Sequence, residues 1–484
     1  MKHLLAVCLF ALLLTGGAFT QQRLSVDLSL ADAVQLSQDN GSALAQARIQ
    51  ALISEGAIIS SNGDFDTVLF SELNYNFNES PASGFFSEFG NTRTQSYSAS
   101  QGIRSNFRSG GNIEFKINEG YDDTNYLPDS QSNTSATFSF SQPLLRGAFS
   151  TVVTANQRKA QLTHAADLSS INQAGVDAVQ LVVDAYWDLS FAIADLDVKK
   201  QSLQLAENLR DITIAKLNVG AVAEVEVTQT RADIASRQDA VLVAKNAVRT
   251  NHDALRKLVS VFDTQDDWQV DFKLVSKLPK AAAVGGSWQD IWSSALKNRG
   301  DIEKLQANIK SAEIDVEVAS ANMLPKLDLS AAGTYAAQDQ QIGSSLDRLL
   351  DRDFPGYTVG FVFELPLTNN QYRGALMQAE NSLLLAKRIL RDRGNELAQE
   401  IRQALSNVNH LSERAAVTAH SAAMAQLKLE SEQLRLSEGA STNYQVLQFQ
   451  SDLAVAQSQQ LQAQTEYAKA IIRLETVKGA IPSF

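Results

Sequence analysis

Proline occupies only eight positions in this 484-residue chain: Pro81, Pro128, Pro143, Pro279, Pro325, Pro355, Pro366 and Pro482. They leave two proline-free stretches, 144–278 and 367–481. Proline lacks an amide donor and clashes with the preceding turn, so stretches without it are free to become very long helices. Heptad spacing agrees. Val182, Leu189, Leu196 and Leu203 lie seven apart, with Leu217 two steps on after Arg210 interrupts, and Leu383, Leu390, Leu397, Ala404 and Leu411 do the same in the second stretch. A sustained seven-residue apolar repeat predicts coiled-coil-like packing against neighbouring helices. Helices over 149–219 and 372–437 would each reach about 100 Å. That is several times the roughly 30 Å of bilayer hydrocarbon, so such helices would project away from a membrane.

The two stretches follow one plan. At a constant offset of 219, Gly220 meets Gly439, Asp233 meets Asp452, Leu242 meets Leu461 and Leu255 meets Leu474. Upstream, the run from Phe138 through Pro143 resembles the run from Phe361 through Pro366. Each half therefore reads as strands, a proline at a strand-to-helix junction (Pro143, Pro366), a very long helix, a glycine turn and a second helix. Gly220 and Gly439 suit those turns because glycine takes positive φ readily where a helix ends.

Strand-like runs alternate apolar and polar residues. Four fall in the first half (65–78, 94–107, 111–119 and 134–146) and two in the second (324–337 and 357–367), the latter separated by a loop at about 338–355. Such dyads fit a membrane barrel, and equally a sheet half-buried on a soluble core. Both counts are even, so each helix pair would leave from the same side, and several copies would have to share one barrel. Segments 29–61 and 288–322 read as shorter amphipathic helices. The domain reading is a signal peptide at 1–20, a first repeat at 21–260, a linker at 261–287 and a second repeat at 288–484.

Met1, Lys2 and His3 precede an apolar run from Leu4 to Leu14 and then small residues, the pattern of a secretory signal peptide cleaved after Ala18 or Thr20. The single cysteine, Cys8, lies in the middle of that run, so no lipid anchor, disulfide or thiolate ligand is expected in the mature chain. Forty-two basic against 54 acidic residues argue against a nucleic-acid partner. His164, His252, His410 and His420 are dispersed, with no metal-ligand spacing, and there is no P-loop, dinucleotide fingerprint or nucleophile elbow. The expectation is a protein without catalytic, cofactor or metal sites, whose energy would come from a partner. Tyr186 and Trp187 read as packing between helices, and Arg146 as an interfacial anchor.

Taken together, the signal peptide, the duplicated plan, Ser139–Gly147 (SFSQPLLRG), Ala185–Leu189 (AYWDL) and the two glycine turns resemble the TolC family of outer-membrane efflux and secretion channels, over nearly the whole mature chain. The resemblance implies a mainly α fold with a membrane part. A homotrimer would build a long α-helical barrel and share one β-barrel embedded in outer-membrane lipid. Function would be that of a passive exit duct for a tripartite efflux pump or a type I secretion system, with a periplasmic adaptor and an inner-membrane transporter as partners. Gly220 and Gly439 would mark the adaptor-facing tips. Three departures from the family pattern stand out. Strands 94–107 and 111–119 exceed its usual two in the first half, either widening the barrel or forming a surface loop. Where its pattern has aspartates six and nine residues after the second glycine, this chain has Gln445 and Gln448, while the first half offers Glu226 with Glu224 beside it. A gate at Glu226 competes with the plainer reading of acids on a solvated first helical turn. Many drug-efflux members carry a lipid anchor, which the position of Cys8 does not predict here. A periplasmic coiled-coil spacer or adaptor with no channel is the alternative reading, and cargo is not legible.

Overall fold

The computed structural model describes residues 25–82, 84, 88, 90–125, 130–259, 268, 270–282, 285–349, 351 and 354–482. The expected signal peptide with Cys8, and the Asp263–Asp267 part of the expected linker, lie outside them. The fold is mainly helical with one large sheet, and its elements repeat in order: helices, strands, a very long helix, a turn and a second helix. It divides into two compact units, one of residues 1–45, 174–298 and 398–484, the other of 46–173 and 299–397.

The first unit holds β1 (Ser25–Leu28), α1 (Leu30–Asn40), the C-terminal part of α4 (Ala155–Asn218), α5 (Glu224–Val259), β6 (Asp271–Leu274), α6 (Trp288–Asn298), the C-terminal part of α9 (Asn370–Ser437) and α10 (Asn443–Val477). Strands β1 and β6 pair in parallel, from Ser25 opposite Asp271 to Leu28 opposite Leu274. Helix α1 starts with a capping box in which Ser29 and Asp32 satisfy each other's backbone donors. The core gathers Leu28, Val34, Val179, Val182, Val183, Tyr186, Trp187, Leu189, Leu255 and Val259. Tyr186 and Trp187 are the packing residues their sequence context suggests, edge to face at 5.3 Å. The fully buried Tyr186 hydroxyl donates to Leu28 O (3.1 Å) and accepts from Ser276 N–H (3.0 Å), so it is satisfied both as donor and as acceptor. Along α9 the most deeply buried row is Ile401, Val408, Ala415, Ala422 and Leu429, again seven apart. Leu397 and Ala404 of the expected heptad row are buried beside it.

The second unit carries α2 (Ser42–Asn62), β2 (Val68–Pro81), β3 (Asn91–Asn106), β4 (Asn112–Thr124), β5 (Gln131–Pro143), the short α3 (Ser150–Val153), the start of α4, α7 (Gly300–Asn322), β7 (Lys326–Asp339), α8 (Ile342–Leu349), β8 (Phe354–Glu364) and the start of α9. All six long strands form one antiparallel sheet in the order β2-β3-β4-β5-β7-β8. Residues 94–107 and 111–119, the departure from the family pattern, are thus part of the sheet, as β3 and β4. The register puts Leu69, Ile103, Phe115, Phe138, Gly333 and Tyr357 in one row on one face, and Glu72, Ser100, Asn118, Ser135, Ala336 and Phe354 in a row on the other. Much of the apolar face is bare, with Leu69, Leu73 and Tyr357 80%, 76% and 90% exposed, while α8 covers part of the same face, where Ser132, Thr134 and Ala337 are buried. The polar face is laced internally, Ser100 to Asn118 at 2.8 Å and Thr137 to Thr334 at 3.2 Å.

The structure corrects several expectations. The long helices begin at Ala155 and Asn370 rather than at 149 and 372. Segment 29–61 is two helices meeting at Gly41, where a Cβ would lie 2.2 Å from Ser37 O. Segment 288–322 likewise breaks at Arg299–Gly300, where a Cβ on Gly300 would lie 2.3 Å from Ser169 O of α4. The expected loop at 338–355 contains α8, seated by Ser345, whose hydroxyl lies 2.8 Å from that of Ser132 and 2.7 Å from that of Thr134. Arg146 bonds Glu364 at 3.4 Å and lies over the Tyr372 ring at 4.8 Å, tying the end of β5 to β8 and α9. Pro143 closes β5 opposite Asp328, and Pro366 separates β8 from α9. Beside them the backbone takes positive φ at Gly147 (+85°) and Asn369 (+48°).

Candidate functional site at the helical tips

The two long helices end in the same way. Gly220 (φ +73°) donates to Leu217 O at 2.9 Å while Ala221 N–H reaches Lys216 O at 2.9 Å. Gly439 (φ +76°) donates to Leu436 O at 3.3 Å while Ala440 N–H reaches Arg435 O at 2.8 Å. This paired bonding is the Schellman motif, which satisfies carbonyls a helix end would otherwise orphan. No atom lies within 4 Å of a Cβ built at either glycine, so backbone angle alone requires glycine there.

Of the acids and amides singled out in the sequence, the structure brings one across to the other tip. Glu226, half-buried in the first turn of α5, accepts a 3.1 Å hydrogen bond from Asn443 Nδ2, and Asn443 is buried at the start of α10. Glu224 is exposed. Gln445 and Gln448 are exposed on α10 and engaged locally, Gln445 with Ser441 at 3.1 Å and Gln448 with Asp452 at 3.0 Å. The Glu226–Asn443 pair is asymmetric in the duplication, because at offset 219 Asn443 corresponds to Glu224 and Gln445 to Glu226.

Three polar groups here were not singled out by the sequence. Glu432, 5% exposed, bonds Ser441 across the second turn and pairs with Arg435 at 3.4 Å. Gln450, 2% exposed, reaches Leu205 O at 3.4 Å. Arg237 on α5 donates to Ser202 O (2.9 Å) and Ser202 Oγ (2.7 Å) on α4, to Leu447 O (3.1 Å) on α10, and pairs with Asp233 at 2.5 Å. It fastens three helices immediately behind the tips. The apolar cluster around it draws on all four: Ala206 and Leu209, Ile234, Leu429, and Val446, Leu447 and Leu453. Their common signal is a polar residue interrupting an apolar helix face, which surface positions imitate. Beyond this cluster the tips expose Val219, Val225, Leu434 and Tyr444.

Further along the first unit, Lys469 of α10 pairs with Asp188 and, at 3.4 Å, with Glu466, beside Asp184. Burial holds the Asp184 carboxyl above its usual range despite a hydrogen bond from Gln180 and the Lys469 charge. Burial lowers Lys469, but the hydrogen bond and charge of Asp188 outweigh it and the net shift is upward. In the second unit burial raises Asp301, yet Arg299 and then Arg393, bound at 2.8 and 2.9 Å, outweigh it and the carboxyl titrates below its usual range. Among the described residues no group of histidine, cysteine and acids is arranged to hold a metal ion, and no helix is long and apolar enough to cross a membrane.

Comparison with known proteins places this geometry. A family model described as outer membrane efflux protein matches residues 93–260 and 291–480. The toxin and drug export protein A of Aggregatibacter actinomycetemcomitans is 20% identical over 240 residues, 47% of this chain. The match spans about half the length of that relative. The crystal structure of the CmeC outer membrane channel of Campylobacter jejuni superposes with a TM-score of 0.71 at 17% identity, over 93% of this chain and 85% of that one. The outer membrane protein VceC of Vibrio cholerae superposes with a TM-score of 0.68 at 18% identity, over 93% and 96%.

Proposed function

Because the chain belongs to the outer membrane efflux protein family, we propose that it forms the outer-membrane exit duct of an export machine in a Gram-negative-type bacterium. It conducts passively as a homotrimer. A periplasmic adaptor docks on the tips around Gly220 and Gly439, and an inner-membrane transporter supplies the energy. The repeats at 21–260 and 288–484 supply the matching halves of each subunit, joined through 261–287, and residues 1–20 direct export. One observation carries the reading: a six-stranded sheet with one mostly apolar face, bare outside the patch under α8, and one polar, internally bonded face. In water such an apolar face is a liability; against lipid, with the polar face lining an aqueous lumen, both faces are satisfied. A soluble spacer gives that face no role. The name of the Aggregatibacter relative covers both toxin and drug export; this chain carries one or both cargo classes, as an efflux or type I secretion duct.

Glu226 is the gate element in this reading. Its bond to Asn443 links the start of α5 to the start of α10, so separating the tips must break it. The membrane assignment is tested with cysteines introduced singly along β8 of the full chain. Those at Val359, Phe361 and Phe363 should react with lipid-dissolved and not with water-borne thiol reagents, and those at Thr358, Gly360 and Val362 the reverse. Uniform water reactivity at all six would refute it.

A further inference from the structure

The sheet has two free edges, β2 and β8. A soluble protein blunts such edges with lysine, proline, bulges or a covering element. Here the edges are open. Strand β8 carries its proline at Pro355 and its charge at Glu364, leaving Gly356–Phe363 (GYTVGFVF) unguarded between them. Strand β2 has no lysine, and its proline is its last residue, Pro81. Every pairing from β2 to β8 is antiparallel, so with six strands β2 runs away from the helices and β8 returns to them. Strand β8 of one copy therefore meets β2 of another antiparallel, with apolar face continuing apolar face and all helices leaving from one side. The added strands are built into this wall. Strand β3 pairs with β2 from Arg104 opposite Val68 to Asn91 opposite Pro81, and β4 pairs with β5 from Asn112 opposite Ser141 to Asp122 opposite Gln131. Gly102 marks the tightness of the join: a Cβ there would lie 2.3 Å from Phe115 O and 2.9 Å from Phe70 Cζ. Ile103, Ile113, Phe115 and Ile117 lie on the apolar face, beside Gln101 and Ser105.

We propose that each copy gives all six strands to the shared wall, β2 of one copy pairing with β8 of the next, so that a trimer closes an eighteen-stranded barrel. The family's usual two strands per half would close twelve. The proposal rests on the duct reading above and adds the size of its membrane pore. With strands about 4.8 Å apart and tilted about 40°, the backbone radius becomes about 18 Å instead of about 12 Å.

The test is electron cryomicroscopy of the full-length protein, purified in detergent and reconstituted in lipid nanodiscs, with copies and strands counted separately. Three copies and eighteen strands is the expected result. A wall of twelve strands with β3 and β4 outside it would overturn the proposal and leave the duct. Six strands per copy around a number other than three would support the shared wall and overturn the trimer. Particles without a closed barrel would overturn both. A second measurement reaches the same hairpin in solution: cysteines at Ile103 and Ile117 should react as lipid-exposed positions, and reaction with water-borne reagents at both would count against the proposal.

Discussion

Replacing Arg237 by alanine tests how the tips are held. Arg237 is 8% exposed, and its guanidinium bonds Ser202 twice, Leu447 O once, and Asp233. Breaking a buried ion pair from one side costs roughly 3–5 kcal/mol. The lower end applies here. Ser202 and Leu447 lie within helices whose backbone bonds remain, and the Asp233 side chain, 28% exposed, is able to recover water. A cost of about 3 kcal/mol is about a hundredfold in a local opening equilibrium. Hydrogen-exchange mass spectrometry on the detergent-solubilised protein should show amides around Ile234–Val241 and Val446–Leu453 exchanging about a hundredfold faster in Arg237→Ala. The helix positions near Tyr186 should be unaffected. Arg237→Lys, which keeps one charge but loses the fork, should fall between. Exchange within about threefold of wild type at both segments would refute the clamp.

Gly300→Ala should cost about 2–3 kcal/mol, since its Cβ would meet backbone of α4 in a packed site. Gly220→Ala and Gly439→Ala, in open space with positive φ, should cost about 1 kcal/mol each; thermal melts of the three variants check the order. Asp184→Asn should raise the melting temperature at pH 7, because burial disfavours the carboxylate. With the folded pKa raised above the ordinary 3.8, Asp184 costs stability progressively as pH rises from 3.8 through that raised value, so the advantage of asparagine should vanish below about pH 3.8. Asp301 has the opposite sign. Its depressed folded pKa gives stability above 3.8 that is lost as pH falls through the folded value, so the melting temperature of Asp301→Asn should fall short of wild type at pH 7 and converge with it in strong acid.

What the sequence makes legible is whatever repeats or alternates. Proline spacing locates the long helices to within a few residues, the offset of 219 finds both Schellman turns, and the dyads find all six long strands because each runs ten residues or more. The rest depends on contacts between distant segments. Strands β1 and β6 are four residues each and pair across more than two hundred residues, too short to show a period and too far apart to suggest a partner. Helix α8 has eight residues, barely two turns, and is held by Ser345 against Ser132 and Thr134. At the tips, the sequence singles out Glu226 by its acidity, and the structure bonds it to Asn443. Its partner Asn443 is not its repeat equivalent, so the duplication that reveals the turns gives no sign of the bond between them.

The central claim, a duct closed at its tips, is tested most directly by single-channel recording of the purified protein in planar bilayers, wild type beside Glu226→Gln. The account predicts a small, cation-preferring conductance in wild type and weaker cation selectivity with more frequent opening in the variant, because the charged acceptor for Asn443 is gone. A conductance indifferent to Glu226→Gln would keep the duct and return Glu226 to an ordinary helix start. Absence of any conductance from verified inserted oligomers, with the adaptor present as well as without it, would contradict the account.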